Sequence, residues 1–364
     1  MAGNILMFKD MMTTIMTNKF IKRLSRRVAR AMVFVMAIGC WACGSVFDDE
    51  GDCDPRYYVR FVYDMNMLYA DAFATQVGSV DLYVFNTETG EVRHFSDQGE
   101  ALASGSYRMP LNLAPGKYEF VAWCGLADND NDFTVPQSAT APEGLTCTMA
   151  RSYDGAVAYS GRDLHAVFHG SLTAELPNAE GEHVYTVKLT KDTNNINLSL
   201  NHRAGALDPS RFEVTMTDDN GLMAYDNSLL TDEPIEYRPW DLRSGTLKEA
   251  EDTDTRADAA DDEGTEGGFL IAELSTARLM ANHNSRITIT DKETGKVVFS
   301  IPFIQWALTL RSGKYHNMGE QEYLDREDDY NLMVFLDDDN KEGWLAVAIY
   351  INGWHIIKNG DVEL

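Results

Sequence analysis

From residue 57 onward, apolar positions recur mostly at a spacing of two. In "YYVRFVYDM", Val59, Phe61 and Tyr63 alternate with Tyr58, Arg60 and Val62. Alternation of β-branched and aromatic residues predicts a half-buried strand. "SVDLYVFNTETGEVRHFS" predicts two strands around Glu88-Thr89-Gly90. "MPLNLAPGKYEFVAWCG" predicts two more around Pro115-Gly116, where Pro presets φ and Gly follows it. "HVYTVKLTKD" adds another. Helical periodicity is weak, and the best segment for it is "MLYADAFATQV", residues 67–77, a short helix or a loop. A second series begins near Asn194: "NNINLSLNH", "RFEVTMTD", "SRITITDKETGKVVFSIPF" and "DYNLMVFLDDDNKEGWLAVAIYINGW". Its turns fall at Lys292-Glu293-Thr294-Gly295 and Asp338-Asp339-Asn340. Many short, regularly spaced strands predict an all-β chain, and two series predict two sandwiches, at 57–192 and 193–364. No sequence repeat locks to a period.

Two segments break the alternation. Residues 248–268, "KEAEDTDTRADAADDEGTEGG", are acidic and small, and cannot bury enough apolar surface to offset their ordering entropy. They predict a disordered insertion in the second sandwich. The other segment is the start of the chain. Lys19, Lys22, Arg23, Arg26, Arg27 and Arg30 precede the apolar run "AMVFVMAIG" and then "GCWACGSVFDDEGDC". A basic stretch, a short apolar run and small residues before a cysteine make a lipoprotein secretory signal. The run is shorter than the roughly 20 residues that cross a bilayer. Cys40-Trp41-Ala42-Cys43 is a C-x-x-C, but it closes a leader and lacks the βαβ context of a redox motif. Lipid attachment is therefore favoured over redox or zinc chemistry. Cys40 follows Ala37-Ile38-Gly39, which suits a lipoprotein signal peptidase, and Cys43 follows Ala42. Met16 is an alternative start. Asp48, Asp49, Glu50 and Asp52 form an acidic tether.

The formal charge of −26 becomes more negative once the basic leader is removed. That argues against nucleic-acid partners and against docking on anionic lipid. Solubility at a cell surface is an adequate reason for it. Cys53, Cys124 and Cys147 remain beyond the leader pair. An oxidising compartment allows one disulfide, with Cys124–Cys147 the first pairing to test and three unpaired thiols the alternative. Chemistry-bearing motifs are weak. "DNDND", Asp128 to Asp132, opens like a calcium loop, but Phe133 and Ala139 stand where Gly and Glu are needed. His165 and His169 lie four apart in a segment that reads as strand, roughly 13 Å from each other on one face. No nucleophile elbow, dinucleotide fingerprint or phosphate loop occurs. Neither an enzyme nor a cofactor is expected.

Two stretches carry a resemblance: "CDPRYYVRFVYDMNMLYADAFATQVGSVDLYVFNTETGEV" from Cys53, and the C-terminal "DYNLMVFLDDDNKEGWLAVAIYINGWHIIKNGDVEL". They resemble the FimB-like family of anchor lipoproteins of type V fimbriae. The strongest points are Tyr63-Asp64 with Asn66, Ala70-Asp71 with Phe73, Tyr83 with Phe85, and Ile351-Asn352-Gly353-Trp354. The resemblance implies two tandem transthyretin-like β-sandwiches, attachment to the outer membrane through an N-terminal lipid, a surface location at the base of a fimbria, and fimbrial subunit proteins as partners. It also implies a lipid cysteine about ten residues before a second cysteine, a spacing that Cys43 and Cys53 match. On that view residues 1–42 are signal peptide and 43–56 tether, with Cys40 kept as the other lipid site. Strand addition at an exposed edge is the expected joining chemistry. The alternating segment of Ala346, Ala348 and Tyr350 against Val347, Ile349 and Ile351 is a candidate edge, or an ordinary paired strand. Trp354 reads as a core plug. The rival expectations are a fimbrial tip or adhesin subunit, and a surface glycan-binding lipoprotein.

Overall fold

A computed structural model describes residues 54–127, 130–202, 205–247, 267–311, 313–338, 344–351 and 354–356. The first half contributes β1 (Arg56–Val62), β2 (Ser79–Asn86), β3 (Val92–Gln98), β4 (Met109–Leu111), β5 (Gly116–Cys124), β6 (Phe133–Thr134), β7 (Cys147–Met149), β8 (Ser152–Asp154), β9 (Val157–Ser160), β10 (Phe168–Leu176), β11 (Glu182–Lys188) and β12 (Thr190–Lys191). The second half contributes β13 (Thr193–His202), β14 (Phe212–Asp218), β15 (Leu222–Met223), β16 (Ile235–Tyr237), β17 (Asp241–Leu247), β18 (Gly267–Ala277), β19 (Arg286–Asp291), β20 (Lys296–Pro302), β21 (Asp329–Asp338), β22 (Trp344–Ile351) and β23 (Trp354–Ile356). Of the segment expected to be a short helix or loop, only Phe73–Gln76 is helical. Before it, the Asn66 and Asp71 side chains bond backbone groups of Tyr63, Leu68, Ala70 and Phe73 and hold a turn instead.

The first sandwich pairs a three-stranded sheet, β11-β1-β4, with a five-stranded one, β12-β10-β5-β2-β3. Strand β1 runs parallel to β11, joining Arg56–Val62 to Glu182–Lys188. The two strands around Pro115-Gly116 do not form a hairpin. β4 pairs with β1, and β5 pairs with β2 and β10, so the turn carries the chain from one sheet to the other. The second sandwich faces β17-β18-β13-β21-β22-β23 against β20-β19-β14-β16-β9-β8. Strand β13 sits mid-sheet, antiparallel to β18 and parallel to β21. Chain order and sheet order part company at β7, β8 and β9. These strands lie inside residues 57–192, yet β9 pairs with β16 and β7 with β15.

Strands β2 and β5 of the five-stranded sheet are covered on both faces. From β2, Val80, Leu82 and Val84 enter the core of the first sandwich, whereas Tyr83 and Phe85 enter the core shared with the second. From β5, Tyr118, Phe120, Ala122 and Cys124 face one way, Val121 and Trp123 the other. This accounts for the unbroken runs "LYVF" and "FVAWC", since a strand covered on both faces has no polar side to alternate. Both sandwiches consequently fall within one compact unit, Arg56–Asn178 with Glu182–Leu364.

A polar cluster crosses the junction. Arg278, mostly buried after β18, donates from Nε and Nη2 to the two carboxylate oxygens of Asp325, both at 2.9 Å, and from Nη1 to the Asn227 carbonyl. Its Nε also lies 3.7 Å from Asp192 Oδ1, which accepts from Asn227 Nδ2 at 3.0 Å. Asp192 is fully buried between β12 and β13. Burial pushes its carboxyl up to about 7, against the opposing pull of Arg278 and Asn227. Burial, reinforced by the Asp328 charge, pushes Glu327 up to about 7 as well.

Two expectations test this architecture. Gly170 in β10 lies under β11, where an added Cβ would meet Lys188 O at 2.4 Å and Val187 Cγ1 at 2.7 Å. Gly170→Ala should lower stability by about 1–3 kcal/mol through overpacking. Gly78→Ala, with nothing within 4 Å of the new methyl, should change it by less than about 0.5 kcal/mol in the same urea titration. The pH dependence follows from the two raised carboxyls. A folded-state value above the unfolded one means that the native state holds more protons between roughly pH 4 and 7. Their penalty is full above 7 and is relieved as pH falls towards 4. The urea midpoint should rise on going from about pH 8 to about pH 5.5, and Asp192→Asn should shrink that rise. An identical pH slope in the variant would contradict the assignment.

Candidate interaction surface

The outward face of the sheet β17-β18-β13-β21-β22-β23 carries a groove between its strands. Alternation along β13 puts Ile196, Leu198 and Leu200 in the core and leaves Asn197, Ser199 and Asn201 outside. Register places Phe269, Ile271 and Glu273 of β18 beside them on one flank, and Asn331, Met333 and Phe335 of β21 on the other. Asn197 Nδ2 donates to Asp329 Oδ1 at 3.2 Å and to Asn331 Oδ1 at 3.3 Å. The Phe335 and Tyr350 rings meet edge-on at 5.7 Å. A groove of about 380 Å³ runs here, bounded by Ser199, Arg243, Ile271, Asn331, Met333 and Tyr350.

At one edge of this sheet, β17 pairs only with β18 among the described residues. Arg243 bridges Asp241 and Glu273, setting charges along the edge. Such charges discourage unspecific pairing while leaving the backbone groups available. Gly245 lies beneath the Phe269 ring, where a Cβ would come within 2.5 Å of Cζ. The other edge is β23, so β22 is a paired strand between β21 and β23. The side chains of Ala346, Ala348 and Trp354 lie outside the described residues. The acidic segment joins partners of one hairpin: Leu247 pairs with Gly267 and Thr246 with Gly268. The two glycines thus belong to β18, while residues 248–266 lie outside the described residues.

Of the remaining candidate residues, Cys40 and Cys43 lie outside the described residues. Cys124 and Cys147 do not bridge; both are free, buried thiols. Cys124 faces the first core from β5 and Cys147 faces the second from β7, so the intervening sheet separates them. Burial raises both thiols well above their ordinary range. Asp132, from the segment resembling a calcium loop, is buried and turned inward. It accepts from the His165 backbone N–H at 3.0 Å, its Oδ2 lies 2.8 Å from His165 Nδ1, and Arg162 Nε lies 2.5 Å from its Oδ1. His169 does not join His165. Its ring is tilted against Trp123 at 4.6 Å, its Nε2 lies 2.7 Å from the Tyr225 carbonyl oxygen, and burial lowers its pKa to about 4.

With this geometry in place, likeness to known proteins becomes informative. A profile for the fimbrillin-A associated anchor proteins Mfa1 and Mfa2 matches residues 49–360. The chain belongs to this family. The minor fimbrium anchoring subunit Mfa2 of Porphyromonas gingivalis is 21% identical over 348 residues, covering 93% of this chain and 97% of that protein. The solved structure of the fimbrial anchor protein Mfa2 from the same organism superposes with a TM-score of 0.61 at 18% identity, over 84% of this chain and 99% of that one. A candidate adhesin from Bacteroides thetaiotaomicron gives a TM-score of 0.71 at 33% identity, over 85% of this chain and all of that one. The fold is the all-β sandwich architecture expected from the sequence, and the family is one of fimbrial anchor proteins. Among the described residues, no helix is long and apolar enough to cross a membrane.

Sequence reasoning missed the Asp192–Arg278–Asp325 cluster, whose members are spread across the second half of the chain and follow no motif. Its one sequence signal is a charged Asp192 between strand-like runs. The thiol assignment predicts that Cys124 and Cys147 resist alkylation in the native protein and react fully in guanidinium. Peptide mass spectrometry checks this, and a Cys124–Cys147 linked peptide would contradict it.

Proposed function

We propose that the protein is the non-catalytic subunit that holds a fimbria to the outer membrane. The observation that carries this is the family match along almost the whole described chain, together with near-complete coverage of an anchoring subunit. In this reading, residues 1–42 are removed as a signal peptide and residues 43–56 form an acidic tether. Lipid on Cys43, or on Cys40, supplies attachment. Each buried methylene contributes about 0.8 kcal/mol, so several acyl chains on one cysteine give stable anchoring. The two sandwiches then stand at the cell surface and receive a fimbrial subunit by strand addition. Among the described residues, β17 and β23 are the edges of the sheet that carries the groove, and an unpaired edge offers main-chain hydrogen bonds in register. The acidic charge keeps the exposed subunit soluble.

The test joins fractionation with immunogold microscopy of intact cells. Gold at fibre bases, shedding of fibres on gene deletion, and loss of membrane attachment in a Cys40→Ala, Cys43→Ala double variant are the expected results. A double variant that stays membrane-bound overturns lipid anchoring. Gold at tips or along shafts would assign an adhesive or structural subunit instead.

A further inference from the structure

At the end of β14 the chain turns through Asp218 and Asp219, and the loop leading into β19 brings His283 to them. His283 Nδ1 lies 3.0 Å from Asp218 Oδ1 and 2.9 Å from Asp219 Oδ1. One ligand-capable atom from each of the three residues falls within 4.8 Å of the others. The three line a cavity of about 430 Å³ whose wall also carries Thr217, Asn282 and Asn284.

Charge is not balanced at this point. The Asp218 side chain is 1% exposed, and its other carboxylate oxygen accepts from Ser285 Oγ. Among the described residues no lysine or arginine pairs with Asp218 or Asp219. A buried carboxylate is costly unless an opposite charge compensates it, and a bound cation supplies one. The cavity beside the cluster leaves room for an ion and its waters.

We propose that Asp218, Asp219 and His283 bind one divalent metal ion of the zinc type, with water completing its coordination. The donor set selects the ion. Calcium and magnesium prefer all-oxygen shells, whereas one imidazole with two carboxylates suits zinc. Zinc takes its nitrogen and oxygen ligands at about 2.0–2.2 Å, which sets tetrahedral donors roughly 3.3 Å apart. The separations of 2.9 and 3.0 Å here therefore need to open by only a few tenths of an ångström. The ion would sit between the Nδ1 atom and the two carboxylate oxygens. The site ties the end of β14 to the loop before β19, and it stands independently of any fimbrial role.

Isothermal titration of the full chain with zinc chloride, alongside His283→Gln and Asp219→Asn, tests the assignment. Both residues are on the loop side of the cluster with exposed or partly exposed side chains, and far-UV circular dichroism with a metal-free urea titration establishes that each variant folds. The wild type should show a component of one zinc per chain that weakens at least tenfold in each variant. Zinc should also raise the wild-type melting temperature and leave that of His283→Gln much less changed. Binding carried by other acidic groups is common to all three proteins and drops out of the comparison. Identical zinc isotherms for wild type and His283→Gln would overturn the proposal. So would an absence of zinc binding, or calcium binding of equal strength that survives His283→Gln.

Discussion

The architecture of this molecule depends on two strands of one sheet, β2 and β5, having a core on each face. β2 and β5 send alternate side chains into two different cores, with Val80, Leu82 and Phe120 on one side and Tyr83, Val121 and Trp123 on the other. A sheet in that position cannot slip by one residue without exchanging the contents of both cores, so its register is specified twice. It also removes the option of two independent sandwiches on a string. Segments following β5 cross over it to complete sheets of the second half, and Trp123 and His169 pack together on its far side. Large substitutions at these positions act on both sandwiches together, which is the packing reason for treating the described unit as one body.

Against that apolar frame, the buried cluster of Asp192, Asn227, Arg278 and Asp325 contributes direction more than strength. Its ions lose hydration on folding and recover much of that loss through paired hydrogen bonds. What such a cluster adds is geometry, because the planar guanidinium accepts few arrangements of its partners. Asp192 lies between the last strand of the first half and β13, while Arg278 follows β18 and Asp325 lies in the helix Glu320–Arg326. The cluster therefore pins three chain segments at the point where the two strand series meet.

Local alternation made much of the strand content legible in the sequence. β1, β13 and β14 follow their apolar spacing closely, because each has one buried and one open face. Long-range pairing was not legible. Nothing in "CTM" or "VAYS" announces that β7 and β9 join strands some 75 residues away, since short strands carry too little pattern to choose a partner. The helix-or-loop segment 67–77 resolved mostly as a turn because Asn66 and Asp71 bond the backbone locally, a competition that hydrophobic spacing does not register. The pairing of Cys124 with Cys147 failed for a related reason: residues 125–146 and a whole sheet separate two thiols that face different cores. His283 and its two aspartates were invisible for the opposite reason, being adjacent in space and 64 and 65 residues apart in sequence. The family resemblance reached the fold and the family of fimbrial anchor proteins but carried no information about either cluster.

The parallel pairs set an order of events for a newly made chain. β1 cannot close its sheet on β11 until residue 188 has emerged, and β13 must wait for β21, which ends at residue 338. Contacts of such span pay their loop entropy before they return any energy, so they form late. The first core, whose buried residues run from Tyr57 to Leu189, can close about midway along the chain, whereas the second must wait for β21.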